Sequence, residues 1–235
     1  KYAPVAVNAM LNEAIKRGFR KIAIVGCPCH IHAIRKLEYQ GLRPEIVNKI
    51  KLLLGLFCGA QFNFEGTRHV LLEKCGVTDL EDITKIQYRG RSNSGWDSRF
   101  VVELNKGERR ELQKFDLVFG GLMFFKRDRC AMCIDWSAEL ADISLADYWG
   151  PSINTDDGAS YSSILVRSNR GMEWYQEAQK AGCIQVRDSS PEYLIKSSGF
   201  ETKKHGNAFH LNWRSRHGWP TPDYHYIPNY SPSKW

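Results

Sequence analysis

The sequence predicts a mixed α/β fold: a largely parallel sheet with flanking helices, irregular cysteine-bearing segments and a C-terminal strap. Three observations carry this expectation. Lys21-Ile22-Ala23-Ile24-Val25 and Ile50 to Phe57 are continuous apolar runs, as in parallel strands covered on both faces. Each run ends in a turn containing glycine and cysteine, Gly26-Cys27-Pro28-Cys29-His30 and Cys58-Gly59. Helical spacing of apolar residues precedes and follows the first run, so strand, turn and helix form one unit.

In order, Ala3 to Arg17 carries Val7, Met10, Leu11, Ala14 and Ile15 at helical spacing, with Gly18 as its stop. The first strand follows, then a helix carrying Ile31, Ile34, Arg35 and Leu37 and ended by Gly41. The second strand delivers Cys58-Gly59 to the same carboxyl edge of the sheet. Phe64 to Cys75 reads as a helix stopped by Gly76. Residues 83–90 and 99–104 read as strands joined by a polar loop that includes Trp96. Phe115 to Phe125 is helix-like or irregular, and Leu140 to Asp147 reads as a strand leading to Tyr148-Trp149-Gly150-Pro151. Ser162 to Val166 reads as a strand and Gly171 to Ala181 as a helix. Beyond Pro191 come short amphipathic pieces and a Trp-, His- and Pro-rich tail with little core of its own.

A chain of 235 residues can bury a proper core as one large domain or two small ones. We expect a binding domain over 1–150 and a C-terminal portion over 151–235 packed on it. Hydrophobic residues at 43% and charged residues at 25% are those of a soluble globular protein. No apolar run approaches the roughly 18 residues of a membrane span. The net charge of +7 suits nucleic acid, an acidic protein partner or a phosphate-bearing cofactor. The basic residues are scattered, which weighs against nucleic acid. Seven cysteines are an odd number, and no signal-peptide pattern is present, so a reducing cytoplasm is the expected location. The chain starts at Lys1, not methionine, and part of the machinery is expected to lie outside this sequence.

The cysteines carry the chemistry. Cys130-Ala131-Met132-Cys133 is a C-x-x-C pair, which in isolation fits a zinc half-site, a dithiol redox pair or an iron-sulfur half-site. Its candidate partners stand roughly 70 to 100 residues upstream at strand ends. This favours a cluster within an α/β domain over a zinc ribbon. Pro28 holds Cys27 extended, whereas Cys29 opens a helix whose dipole stabilises a thiolate, so Cys29 is the better ligand of the two. Cys27, Cys75 and Cys183 read as buried small hydrophobes. The turn at Gly26 to His30 could receive a phosphate at the helix start, although it lacks both G-x-G-x-x-G and the P-loop pattern. His30 and His32 flank that turn, and Tyr88-Arg89-Gly90 with Trp96 could face a cofactor or form an ordinary hairpin.

With these stations in place the chain resembles the beta-subunit family of coenzyme F-420 hydrogenases and dehydrogenases. The resemblance runs from Lys1-Tyr2 through Ile24-Val25-Gly26-Cys27-Pro28-Cys29-His30, similar to the family's G-x-P-C-Q segment, and Gly55-Leu56-Phe57-Cys58. It continues to Cys130-Ala131-Met132-Cys133-Ile134-Asp135 and Glu139-Leu140-Ala141-Asp142-Ile143-Ser144. His30 stands where the family often has glutamine, and Leu145-Ala146-Asp147 replaces a commoner glycine-aspartate arrangement.

The resemblance implies an iron-sulfur flavoprotein, an oxidoreductase with FAD beside a 4Fe-4S cluster, passing electrons to or from coenzyme F-420. Cys29, Cys58, Cys130 and Cys133 would be the cluster ligands. Gly26, Pro28 and His30 would lie against the flavin, with Arg35, Tyr88 and Arg89 as further cofactor contacts. The implied partners are coenzyme F-420 or ferredoxin and other redox subunits of a complex. The alternatives are a ferredoxin-dependent flavoprotein reductase of another substrate and a structural zinc-binding module.

Overall fold

The computed structural model describes residues 6–92, 95–118, 120–148, 161–197 and 200–224. Lys1-Tyr2, the Trp96 side chain and Trp149-Gly150-Pro151, all singled out above, lie outside the described residues. The helices are α1 (Val7–Lys16), α2 (Pro28–Tyr39), α3 (Pro44–Val47), α4 (Phe64–His69), α5 (Lys114–Val118), α6 (Asp128–Ala131), α7 (Asn169–Lys180), α8 (Pro191–Ser197) and α9 (Phe200–Arg216). The strands are β1 (Ile22–Gly26), β2 (Ile50–Leu56), β3 (Ile83–Ser92), β4 (Gly95–Leu104), β5 (Arg109–Leu112), β6 (Ile143–Asp147) and β7 (Ser162–Val166).

The chain divides into two compact units, one over residues 60–130 and one formed by 6–59 together with 131–235. The second unit holds a four-stranded sheet in the order β1-β2-β6-β7. β1, β2 and β6 are parallel, and β7 runs antiparallel to β6. Strands from both sides of residue 150 therefore share one sheet. Leu11 of α1, Ile31 and Ile34 of α2, Ile24 of β1 and Leu53 of β2 form its core with Ala138 and Ala141. Gly55 allows that packing, because a Cβ there would come 2.3 Å from Ala138 Cβ and 2.8 Å from Ala141 Cβ. The strand expected from Leu140 begins instead at Ile143, since residues 138–142 form the turn that meets Gly55.

Asp142 ties this unit together. Its buried carboxylate accepts the Leu53 N–H at 2.8 Å and the Ser168 hydroxyl at 2.7 Å, and it pairs with Arg35 and Arg170 at 2.9 Å each. Burial alone would raise the Asp142 pKa. Donation from Arg170, Ser168 and the Leu53 amide, together with the Arg35 charge, outweighs burial and holds the carboxyl below its ordinary value.

Within this unit residues 200–216 form one helix, where the sequence suggested short pieces and a strap. α9 spans 17 residues and buries Ala208 and Leu211 against Met132 and Ile134. Cys183 also departs from expectation: it is exposed in the turn after α7, and it neither starts a strand nor enters the core.

The unit over residues 60–130 carries the antiparallel sheet β3-β4-β5. Its core gathers Phe62, Val70, Leu71, Phe100, Val102, Leu117 and Leu122, with Cys75 buried as expected. Burial pushes the Cys75 thiol pKa up. The helix after Phe64 widens into a π-turn at Val70–Lys74 before Gly76 stops it at φ 64°. The hairpin is longer than the sequence suggested, because residues 91, 92 and 95–98 continue the strands. β5 completes the sheet through charged residues whose pattern shows no apolar alternation.

Candidate cysteine site

β1 and β2 end in register, Gly26 beside Gly55, so Cys29 and Cys58 both follow the carboxyl ends of neighbouring parallel strands. Cys29 is exposed in the first turn of α2, and Cys58 is buried just after β2. Cys133 belongs to the same unit, half-buried in the segment that leads to β6. Cys130 closes the other unit and lies within α6, three residues before Cys133 in sequence. None of the cysteines is joined in a disulfide.

A main-chain bond and several side chains knit the Cys133 segment to its neighbours in the fold. The Cys58 N–H donates to the Trp136 carbonyl at 2.9 Å. Lys203, buried on α9, donates to the Cys58 carbonyl at 2.7 Å, to the Asp135 carbonyl at 2.8 Å and to Cys133 Sγ at 3.5 Å. One turn along α2 from Cys29, on the same helix face, His32 Nε2 lies 2.8 Å from Asp135 Oδ2. The other carboxylate contacts of Asp135 are to the Glu139 N–H. Asn207, one turn after Lys203, donates to the Cys133 carbonyl.

His30 Nδ1 accepts the Cys27 N–H at 3.1 Å, and the imidazole folds over Gly26, where a Cβ would come 2.9 Å from His30 Cβ. His30 thus helps cap its own helix. With the Cys27 amide used and Pro28 carrying none, fewer amides face outward here than at an ordinary helix start. Arg35 donates to the Leu140 carbonyl and pairs with Glu38 and Asp142, which gives it a bracing role within the unit. Tyr88 and Arg89 belong to the unit over 60–130. Tyr88 Oη shares a hydrogen bond with Thr67 Oγ1, the ring lies edge-on to Phe100, and Arg89 is exposed.

Among the described residues, no three His, Cys, Asp or Glu side chains gather closely enough to hold a single metal ion. A four-iron cluster makes a different demand, since its thiolates are spread around a cube instead of one atom. Three features fit such a group. The Trp136 indole N–H is buried with no acceptor among the described residues, and its ring lies against Gly59. The donors available are thiols, the ligand type that clusters take. The Asp135 carbonyl that accepts from the Cys133 thiol also accepts from Lys203, so it keeps a donor when that sulfur is engaged elsewhere.

Lys203 leaves little signal in the sequence. Lys203, Asn207 and Leu211 share one face of α9 at i, i+4, i+8 spacing, and two of the three are polar, so the stripe does not read as buried.

Fold and site together define an α/β protein in which Cys29 and Cys58 follow the carboxyl ends of neighbouring parallel strands. Residues 19–192 match the family described as the C terminus of the coenzyme F420 hydrogenase/dehydrogenase beta subunit, and the chain belongs to that family. It is 32% identical over 187 residues to the coenzyme F420-dependent sulfite reductase of Methanocaldococcus jannaschii, an alignment that covers 74% of this chain and 26% of the relative. It is 27% identical to the coenzyme F420 hydrogenase subunit beta of Methanococcus voltae, over 94% of this chain and 73% of the relative. The chain thus spans about a quarter of the first of these and about three quarters of the second. Its fold is similar to a chain of the F420-reducing [NiFe] hydrogenase complex from Methanosarcina barkeri. That likeness has a TM-score of 0.69 at 18% identity and covers 96% of this chain and 73% of that one. No helix among the described residues is long and apolar enough to cross a membrane.

Proposed function

We propose that the chain is an electron-transfer oxidoreductase subunit, with Cys29, Cys58, Cys130 and Cys133 holding a 4Fe-4S cluster and the Gly26 to His30 turn receiving FAD. The cluster would supply one-electron chemistry and the flavin the junction with a two-electron carrier, here coenzyme F420. The observation that carries this reading is the network around the cysteines of the second unit. Lys203 joins Cys58 to Cys133, and the His32–Asp135 pair ties their segment to the helix that bears Cys29.

The chain's own residues hold and shield the site. Cys29 sits at a helix start that favours a thiolate, Cys58 is buried, and Ile134 beside Cys133 is removed from water. Gly26 brings bare backbone to the turn. Other redox subunits of a complex would supply or remove electrons.

The test is turnover by the anaerobically purified chain. After photoreduction it is expected to bleach the visible absorption of oxidised coenzyme F420. Protein that carries iron and flavin and takes electrons from reduced ferredoxin, yet leaves oxidised coenzyme F420 unbleached, would make it a ferredoxin-dependent reductase of another substrate. Colourless protein with bound zinc would make it a structural zinc module.

A further inference from the structure

Lys203 has a feature that its tethering role does not explain. It is 8% exposed, and its three N–H donors meet two main-chain carbonyls and one cysteine sulfur. Among the described residues no carboxylate pairs with it. Nearby Asp135 directs its carboxylate to His32 and the Glu139 amide, and Glu139 pairs with Lys204. The remaining neighbour is the Trp136 ring, whose centroid lies 5.8 Å from the ammonium. A buried cation without an anion is unfavourable, because two neutral carbonyls and a ring replace only part of its hydration. The group within hydrogen-bonding reach that can carry negative charge is the Cys133 sulfur.

We infer that Lys203 is a charge-balancing and positioning residue whose ammonium, bonded to Cys133 Sγ, sets the ease with which the cysteine-bound cluster accepts an electron. This rests on the cluster reading above. Reduction adds one negative charge to a centre already anionic through its thiolates. A fixed cation bonded to one ligand sulfur favours the reduced form, and net charge and hydrogen bonds to sulfur are what tune such centres. The same ammonium fixes the Cys58 and Asp135 carbonyls, so it holds the ligand-bearing segments in place while it offsets their charge.

The experiment is a potentiometric titration, followed by electron paramagnetic resonance, of the wild-type chain and of Lys203→Met, Lys203→Gln and Lys203→Arg, with iron content measured first. Wild-type protein without iron would defeat the cluster reading itself. With iron present, the midpoint is expected to move to more negative potential in Lys203→Met and Lys203→Gln and to return towards the wild-type value in Lys203→Arg. Loss of iron in both neutral variants with retention in Lys203→Arg would equally establish the need for charge. An unchanged midpoint in iron-bearing Lys203→Met or Lys203→Gln would overturn the inference. So would loss of iron from all three variants, which would reduce Lys203 to a structural tether.

Discussion

His32 Nε2 and Asp135 Oδ2 lie 2.8 Å apart, joining positions 103 residues apart in the chain. The Asp135 side chain is buried and also receives the Glu139 amide, so removing it strands two donors. Asp135→Ala is expected to destabilise the protein by about 1–3 kcal/mol, the cost of half-buried donors left without an acceptor. His32→Ala should have a smaller effect, since Asp135 keeps the Glu139 N–H. Urea unfolding of both single variants and the double variant checks the order and gives the coupling energy.

Acid should weaken the fold through Asp142. Its folded pKa is depressed, so its contribution is fully present above the unfolded value of about 3.9 and is lost as pH falls through the lower folded value. Asp142→Ala takes one anion from Arg35 and Arg170, which keep Glu38, and leaves the Leu53 N–H without its acceptor, and is expected to cost about 1–3 kcal/mol at neutral pH. The stability of the variant should vary less with pH in the acid range than that of the wild type. Thermal unfolding measured across that range tests both statements.

Gly55→Ala is expected to destabilise by about 1–3 kcal/mol, because the new methyl would occupy the space of Ala138 Cβ on the turn that leads to β6. Gly18→Ala is the contrasting case. A Cβ there meets nothing within 4 Å, and the strain comes from φ 82° alone. Denaturant midpoints for the two variants, with an unchanged slope, would separate crowding from backbone strain.

Two of the three cysteines outside the proposed ligand set, Cys75 and Cys183, should behave oppositely towards alkylating reagents. Cys183 is exposed, whereas Cys75 is buried with its thiol pKa raised, which keeps it in the unreactive neutral form. Native-state labelling followed by peptide mapping is expected to modify Cys183 rapidly and Cys75 only on unfolding. Cys183→Ser should leave stability within about 0.5 kcal/mol of wild type.

The parallel half of the fold was legible because its strands are continuous apolar runs. Ile22 to Gly26 and Ile50 to Leu56 end in glycine and cysteine turns whose register follows from parallel pairing. The extent of β3 and β4 was hidden because Ser92 and Gly95 carry turn chemistry, yet they pair with each other in the hairpin ladder. α9 was hidden for a related reason: its buried face mixes Lys203 and Asn207 with Ala208 and Leu211, and burial of the polar pair depends on carbonyls and a sulfur supplied from elsewhere in the chain. Cysteine spacing could nominate Cys29, Cys58 and Cys133. The ammonium between two of their segments comes from 70 residues beyond Cys133 and could not be read from spacing.

Iron content, with the visible spectrum, of anaerobically purified wild type, Cys133→Ser and Cys183→Ser tests the central claim most directly. The wild type and Cys183→Ser are expected to be brown with about four irons per chain and flavin bands, and Cys133→Ser to lose most of its iron. Full iron in Cys133→Ser, or a wild-type protein with none, would contradict the assignment of these sulfurs to a cluster.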